Sequence, residues 1–288
     1  MTRLDVEFYS EGTRLAGWLY PAAGAGPHPA VVMASGYGGV RGGLNAYGYP
    51  QAFAAAGFTT LLFDYPHLGA SDGEPRQELD PVKQQRAYRD GITYLAGRVD
   101  VDAGRIGIWG TSYSGGHVLV VGAHDRRVKV VVSQAMTVSG HANSLARNSP
   151  AEYAALADRF AEDRLRRARG AAPEMVPMFS EQSESYRKTM ARDAADREGW
   201  VNEVTLRSLE HYDEYEPGMW VDRVSPRPLL MVVPTGDVLT PSTDALAAYE
   251  RALHPKRLVT VPGGHYAVYE DQFDVTSSAA IAWFDEHL

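Results

Sequence analysis

The stretch "GTSYSGG", from Gly110 to Gly116, contains two serines in a glycine-rich setting that can present a nucleophile. A nucleophile elbow has the pattern G-x-S-x-G and places its serine on a sharp turn between a strand and a helix. The strand "RIGIWG" ends at Gly110 and a helical run begins near Tyr113, so the turn falls at Ser112. We predict that Ser112 is the nucleophile and that Ser114 takes the place of the second glycine and packs inside the helix.

Two later loops contain the partners that such a serine needs, a base to take its proton and a carboxylate to orient the base. Asp237 follows the strand "LLMVVP", and His265 follows the strand "LVTVP". The elbow alone is also compatible with a Gly/Ser-rich turn of no chemical role. The chain order Ser, acid, His, with each residue just past a strand, favours catalysis and predicts a triad of Ser112, Asp237 and His265.

An oxyanion would need two backbone donors. One is expected from the residue after the nucleophile, Tyr113. The other is expected in the loop "GYGGVRGG", whose glycines let the main chain approach an acyl oxygen closely, and we choose Tyr37. A phosphate cradle is the competing interpretation, but the loop lacks both glycine patterns that are typical of nucleotide sites.

The remaining titratable residues indicate no further chemistry. Asp64 precedes Ser112 in the chain, so we predict that it stabilises its own loop by hydrogen bonds. His67, in the same loop, is expected to face solvent, and the alternative is that it lines the pocket. The nine histidines show no ligand spacing of the H-E-x-x-H kind and cysteine is absent, so we expect neither a metal site nor a cofactor.

Composition limits the class of protein and its partners. The chain has 28 Lys and Arg against 36 Asp and Glu, a net charge of −8, which disfavours nucleic acid and anionic membranes as partners. No apolar run approaches the ~18 residues of a membrane span, and "MTRLDVEFYS" lacks the apolar region of a signal peptide. We expect a cytoplasmic protein that binds a small-molecule substrate. The oligomeric state is open, and a homodimer is compatible with the sequence.

Strands and helices alternate along most of the chain. Valine-rich runs such as 30–35 and 105–109 alternate with helical runs such as 81–98 and 273–288. This alternation predicts an α/β fold with a mostly parallel sheet and helices on both faces. A β-hairpin is expected around Glu11-Gly12.

A polar segment, 137–221, interrupts the alternation. Tyr153, Leu156 and Phe160 recur in it at the spacing of one helix face. We predict a core formed by 1–136 and 222–288, with 137–221 as a helical cap over the carboxyl edge of the sheet, where such folds bind ligands. Packing of the cap against the core is the alternative role for its large apolar residues. The candidates for an acyl pocket are Met178, Phe179, Trp200, Tyr212 and Trp220.

The stretches "GYGG", "FDYPHLGASDGEPRQELDP", "IGIWGTSYSGGHVL", "PTGD" and "PGGHY" together resemble the α/β-hydrolase superfamily. Within it, G-x-S-x-S-G-G-H followed by a helical cap resembles the polyketide-processing hydrolases and acyltransferases. The chain is similar, less closely, to catalytic domains of the X-prolyl dipeptidyl peptidase class. The resemblance implies the nucleophile at Ser112, the acid at Asp237 and the base at His265, and the subgroup shares the serine at position 114.

Such a triad predicts a serine hydrolase that cleaves an ester, thioester or lactone with an appreciable apolar, polyketide-like part through an acyl-enzyme. An acyltransferase, which passes the acyl group to an alcohol or amine, would use the same residues, as would a C–C bond hydrolase. A non-catalytic ligand receptor is disfavoured, because a binding protein needs no complete Ser-Asp-His set.

Overall fold

A large, mostly parallel sheet organises residues 2–288, which the computed structural model describes. Ten strands lie in this range: β1 (Leu4–Ser10), β2 (Thr13–Tyr20), β3 (His28–Ala34), β4 (Thr59–Phe63), β5 (Val101–Thr111), β6 (Val128–Gln134), β7 (Met175–Pro177), β8 (Glu203–Thr205), β9 (Leu229–Pro234) and β10 (Lys256–Val261). Eight of them form one sheet in the order β1-β2-β4-β3-β5-β6-β9-β10. β2 is antiparallel to β1 and β4, and the other neighbours are parallel. The predicted mostly parallel sheet is confirmed.

Helices connect these strands. Ten α-helices lie within residues 2–288: α1 (Arg41–Asn45), α2 (Tyr49–Ala55), α3 (Pro81–Ala96), α4 (Tyr113–His124), α5 (Gly140–Arg147), α6 (Pro150–Ala168), α7 (Glu184–Met190), α8 (Leu206–Asp213), α9 (Ser242–Arg251) and α10 (Phe273–His287). Short 3₁₀ turns cover Ala195–Arg197, Pro217–Arg223 and Ala267–Tyr269. None of the helices in the described range is long and apolar enough to cross a membrane.

Alternate residues of the central strands divide between two apolar cores, one on each face of the sheet. In β3, Ala30, Val32 and Ala34 belong to the first core, and Val31 and Met33 belong to the second. This is the period of two that a strand buried on both faces must have. Helices α3 and α4 pack into the first core, and α2 and α10 pack into the second. The prediction of helices on both faces is confirmed.

The N-terminal hairpin forms where the sequence predicts it. β1 and β2 pair from Leu4 with Leu19 to Ser10 with Thr13. The two turn residues have positive φ angles, 48° at Glu11 and 83° at Gly12. Two-residue hairpin turns need this left-handed backbone, because it matches the twist of the strands.

The chain between β6 and β9 includes the predicted cap, 137–221. It holds α5, α6, α7 and α8, and in addition the antiparallel ribbon of β7 and β8. The sequence does not indicate this ribbon, because strands of three residues are too short to show an alternating pattern.

A buried carboxylate fastens the longest cap helix to the ribbon. Asp163 of α6 is 1% exposed and accepts hydrogen bonds from Arg167 Nε at 2.6 Å and from the Glu174 amide at 3.0 Å. Burial alone would raise the pKa of Asp163, but the Glu174 amide and the charges of Arg167 and Arg166 lower it below its usual value. The carboxylate therefore stays ionised and holds the start of β7 in place.

Candidate active site

Ser112 occupies a strained turn between β5 and α4. Its backbone has φ 57° and ψ −121°, a conformation that residues other than glycine adopt only when their surroundings enforce it. Two hydrogen bonds enforce it here: the Ser112 amide donates to Gln134 O at 2.9 Å, and the Thr137 amide donates to Ser112 O at 3.0 Å. The turn thus rests on the end of β6 and presents the serine hydroxyl above the sheet.

Ser114 has a structural role. It is fully buried in the first turn of α4, and its Oγ accepts from the Thr111 amide at 2.8 Å and donates to Ala34 O at 2.9 Å. The hydroxyl therefore joins the start of α4 to the end of β3. Gly110 is required nearby, since a Cβ there would lie 2.2 Å from Ser114 O.

His265 lies between Ser112 and Asp237. Its Nε2 is 3.0 Å from Ser112 Oγ, and its Nδ1 is 2.7 Å from Asp237 Oδ2. In the neutral ring, Nδ1–H donates to the carboxylate and the lone pair of Nε2 accepts from the serine hydroxyl. This arrangement can transfer a proton from Ser112 to the imidazole.

The loop after β9 holds the carboxylate of Asp237 with several donors. Oδ1 accepts from the amides of Leu239 at 2.8 Å and Thr240 at 3.0 Å. Burial would raise the pKa of Asp237, but its hydrogen bond and charge interaction with His265, together with the Thr240 donors, lower the pKa below its usual value. An ionised Asp237 can orient the imidazole and stabilise its charged form.

Thr240 is a positioning residue that the sequence analysis missed. Its Oγ1 lies 2.8 Å from Asp237 Oδ2, 2.9 Å from Ala135 O and 3.2 Å from His265 Nδ1. Ala135, just after β6, has a φ of 42°. No sequence signal marks Thr240, because its partner Ala135 is 105 residues away in the chain.

Tyr37 and Tyr113, whose amides are the predicted oxyanion donors, both lie close to Ser112: Tyr37 lines the same cavity, and Tyr113 is the next residue in the chain. Neither amide donates to a backbone oxygen in residues 2–288. The Tyr37 loop passes directly against Ser112, since a Cβ at Gly36 would lie 2.9 Å from Ser112 Cβ. Two free amides at this position can receive an oxyanion.

The side chains of these two tyrosines meet a cap residue. The rings of Tyr37 and Tyr113 lie 5.3 and 5.6 Å from the ring of Tyr212, which belongs to α8. Tyr212 Oη accepts from Asn143 Nδ2 at 2.8 Å. An aromatic cluster therefore packs the cap onto the two residues that are predicted to supply the oxyanion donors.

A cavity of about 690 Å³ opens at Ser112 and His265 between the core and the cap. Four of the five predicted pocket residues line it: Met178, Phe179, Trp200 and Tyr212. The sequence analysis missed other members of the lining, although Leu156 lies on the helix face that it identified and two tyrosines follow His265 closely. These members include Leu44, Tyr47, Leu156, Leu209, Tyr266 and Tyr269.

The prediction that Trp220 lines the pocket is wrong. Trp220 belongs to the 3₁₀ turn Pro217–Arg223, and its ring packs against His124 with 4.4 Å between centroids, below the guanidinium of Arg223. His124 ends α4, so this contact lies a full helix length from Ser112 at the start of α4. Trp220 attaches the return of the cap to the core.

Of the two predictions made for the loop after β4, the one for Asp64 is confirmed and the one for His67 is wrong. Asp64 accepts from the amides of Arg41 at 2.6 Å and Ala70 at 3.0 Å, which confirms its predicted role in loop structure. The prediction that His67 faces solvent is wrong, since it is 4% exposed. The loop folds back, so His67 Nδ1 can donate to Pro75 O at 2.9 Å and Lys83 Nζ lies 3.3 Å from Nε2. Across 2–288, no three His, Asp or Glu side chains are grouped as metal ligands would be.

The sheet order, the elbow and the cap define an α/β hydrolase, and comparison with known proteins agrees. The crystal structure of the α/β hydrolase GrgF from Penicillium sp. sh18 superposes with a TM-score of 0.85 at 27% identity, and the match covers 100% of this chain and 99% of that chain. The family described as X-Pro dipeptidyl-peptidase (S15 family) matches residues 11–267. The chain belongs to this family.

Curated relatives are similar over nearly the whole chain. The quorum-quenching protein AidA of Acinetobacter baumannii (strain MDR-ZJ06) is 31% identical over 279 residues, 92% of this chain and 88% of AidA. The polyketide transferase grgF of Penicillium sp is 31% identical over 276 residues, 92% of this chain and 90% of grgF. The thiohydrolase aneE of Aspergillus aculeatus (strain ATCC 16872 / CBS 172.66 / WB 5094) is 27% identical over 270 residues, 89% of this chain and 84% of aneE. The predicted resemblance to polyketide-processing proteins is confirmed, and the fold and relatives indicate a hydrolase or acyltransferase.

Proposed function

We propose that this protein is a serine hydrolase that forms an acyl-enzyme on Ser112. His265 takes the hydroxyl proton as Ser112 Oγ attacks a carbonyl carbon, and Asp237 stabilises the imidazolium that forms. The amides of Tyr37 and Tyr113 donate to the oxyanion of the tetrahedral intermediate. His265 then protonates the leaving group, and a water molecule that it deprotonates releases the acyl group as an acid.

One observation supports this proposal above the others. His265 is within hydrogen-bond distance of both partners, at 3.0 Å from Ser112 Oγ and 2.7 Å from Asp237 Oδ2. The backbone strain at Ser112 adds support, since strained turns persist where surrounding structure maintains them for a purpose.

The substrate of this hydrolase is an ester, thioester or lactone with a substantial apolar part. The cavity volume, about 690 Å³, lies within the range of small-molecule sites, and much of its lining is aromatic or aliphatic. The name thiohydrolase, given to one relative, supports a thioester as one of the bonds cleaved.

Acyl transfer is the second candidate function. The relative named polyketide transferase supports it, as it matches 92% of this chain. Both functions share the acyl-enzyme and differ in whether water or an alcohol or amine reaches it. Product analysis with and without an added alcohol separates them: an ester formed faster than the acid indicates transfer, and acid alone indicates hydrolysis.

The test of the nucleophile is labelling with a fluorophosphonate probe. We expect the wild type and Ser114→Ala to be labelled and Ser112→Ala to be unlabelled. Removal of a triad nucleophile costs on the order of a millionfold in kcat in subtilisin, so the loss of esterase activity in Ser112→Ala should be nearly complete. A thermal melt of each variant checks folding, because Ser114 holds α4 to β3. Labelling of Ser112→Ala at the wild-type rate would refute the assignment.

A further inference from the structure

The cavity that holds Ser112 has positively charged side chains in its wall. Its three arginines are Arg147, Arg159 and Arg192. Arg159 is paired with Glu174, 2.6 Å away, which also pairs with Arg166. The other two have no carboxylate oxygen within 4 Å in residues 2–288, although the chain carries a net charge of −8. The lining also contains one carboxylate, Glu152, which accepts from the Ser149 amide at 2.8 Å at the start of α6. Arg147 and Arg192 therefore give the wall positive charge that no carboxylate within 4 Å of them compensates.

Arg192 differs from Arg147 in how firmly it is held. Arg147 is exposed, its Nη2 donates to Leu239 O, and its guanidinium lies farther from its aromatic neighbour, 5.6 Å from the centre of the Tyr212 ring. Arg192 is half-buried, its Nη2 donates to Tyr47 Oη at 2.7 Å, and its guanidinium centre lies 4.8 Å from the centre of the Tyr47 ring. A fixed guanidinium with further N–H groups to donate is well suited to bind an oxyanion.

The aromatic contact that holds Arg192 continues toward the catalytic histidine. The Tyr47 ring stacks on that of Tyr269 with 4.7 Å between centroids, and the ring of Tyr269 lies 6.3 Å from the ring of His265. All four residues line the same cavity. An anion at Arg192 would therefore lie in the same space as an acyl group on Ser112.

Two glycines of "GYGGVRGG" make room for this arginine. A Cβ at Gly43 would lie 2.6 Å from Arg192 Nη1, and a Cβ at Gly42 would lie 2.5 Å from Asp196 O. A side chain at Gly42 would push the backbone of the cap at Asp196 away from α1, and a side chain at Gly43 would displace the guanidinium of Arg192. The loop "GYGGVRGG" is predicted to bring its main chain close to an acyl oxygen. Its last two glycines, Gly42 and Gly43, have a further function, because they make room for Arg192 in the cavity wall.

We propose that Arg192 binds a carboxylate, or an oxyanion of similar shape, that the substrate carries apart from its scissile carbonyl. This inference rests on the proposed function and narrows its substrate class to anionic esters or thioesters. The anion belongs either to the acyl part or to the leaving group, and both present the same chemistry to the guanidinium.

The test compares anionic and neutral esters of matched shape. In the first arm, 4-nitrophenyl hemiesters of linear dicarboxylic acids of rising length are compared with their ω-methyl esters. In the second arm the anion is on the leaving group: phenyl esters in which an uncharged acyl group is attached to the phenolic oxygen of 4-hydroxybenzoic acid are compared with the same esters of methyl 4-hydroxybenzoate. The measured quantity is the ratio of kcat/KM for the anionic ester to kcat/KM for its neutral match.

We expect Arg192→Gln to lower this ratio by about tenfold or more in the arm that places the anion correctly, as for loss of a charged hydrogen bond. Arg192→Lys keeps the positive charge but loses the planar guanidinium, which can donate two parallel hydrogen bonds to a carboxylate. Its ratio should therefore lie between those of the wild type and Arg192→Gln. The matched control is Arg187→Gln, which removes an exposed arginine of the neighbouring helix α7 that does not line the cavity. Its ratio should equal that of the wild type.

Three results would count against the role of Arg192. One is an unchanged ratio in both arms while the neutral esters are cleaved, which leaves the proposed hydrolase standing. Another is an equal fall in Arg187→Gln. If no ester is cleaved at all, the proposed function fails, and the anion site is tested by binding alone.

Calorimetry on Ser112→Ala then compares the binding of an ω-carboxylated alkyl amide with that of its methyl ester. If the amide with the free carboxylate binds more tightly and this preference is lost in Ser112→Ala/Arg192→Gln, the site is supported. If the preference persists in the double variant, which is the third result, the role of Arg192 is overturned.

Discussion

The phenolic oxygen of Tyr269 lies 2.5 Å from the hydroxyl of Thr111, and both side chains are buried. Thr111 ends β5, directly before Ser112, and Tyr269 ends the 3₁₀ turn that follows His265. Residues 158 positions apart in the chain are thus joined beneath the reacting groups. The contact fixes the turn of the proposed nucleophile relative to the loop of the proposed base.

Tyr269→Phe should lower kcat by about tenfold with little change in KM, because small displacements of reacting groups cost rate rather than binding. Steady-state kinetics on a short neutral ester measures both constants. Thr111→Val should lower kcat by the same factor. The double variant should have the same kcat as either single variant, since both substitutions remove the same hydrogen bond. Tyr9→Phe, on the exposed ring of a β1 tyrosine, is the control. A lower melting temperature with wild-type kcat would contradict the positioning role.

The positions of the three residues of the proposed triad could be predicted because each follows a strand with a strong valine pattern. Ser112, Asp237 and His265 come after β5, β9 and β10, whose carboxyl ends meet at one edge of the sheet. The structure brings the three side chains within hydrogen-bond distance of one another through His265. Regular elements therefore determined where the chemistry could lie.

The residues that support the proposed triad could not be predicted, because loops determine their positions. Thr240 reaches Ala135, and Tyr269 reaches Thr111, through turns that have no periodic pattern. His67 shows the same limit: its polar loop sequence indicates exposure, whereas the fold of the loop buries it. Long-range packing, rather than local preference, decides such contacts.

Trp200 and Trp220 provide a matched pair for the extent of the pocket, since only Trp200 lines the cavity. Trp200→Ala should raise KM for long-chain esters by about tenfold, because it removes apolar contact worth roughly 1.5 kcal/mol or more, and short esters should be affected less. Trp220→Ala should leave the dependence of KM on chain length unchanged, although it should lower the melting temperature. An ester series of rising acyl length measures both. A similar change of chain-length preference in the two variants would contradict the boundary of the cavity.

His117 follows the two glycines of the elbow and is fully buried behind Tyr113. Its Nε2 lies 2.8 Å from Gln84 Oε1, and its Nδ1 lies 2.7 Å from Tyr215 Oη. Since Gln84 Oε1 only accepts, Nε2 carries the proton of a neutral ring and Nδ1 accepts from Tyr215. Burial lowers the pKa of His117 from 6.5 to about 3.

This neutral histidine predicts a loss of stability in acid. As pH falls below the pKa of the unfolded chain, about 6.5, the unfolded state binds a proton that the folded state binds only near pH 3. Between pH 7 and pH 5 the wild type should lose about 2 kcal/mol of unfolding free energy to this group, and His117→Gln should be spared that loss. Urea unfolding at the two pH values measures the difference, with His254→Gln, an exposed histidine, as the control that keeps the wild-type dependence. The same pH dependence in His117→Gln as in the wild type would show that folding does not lower the pKa of His117.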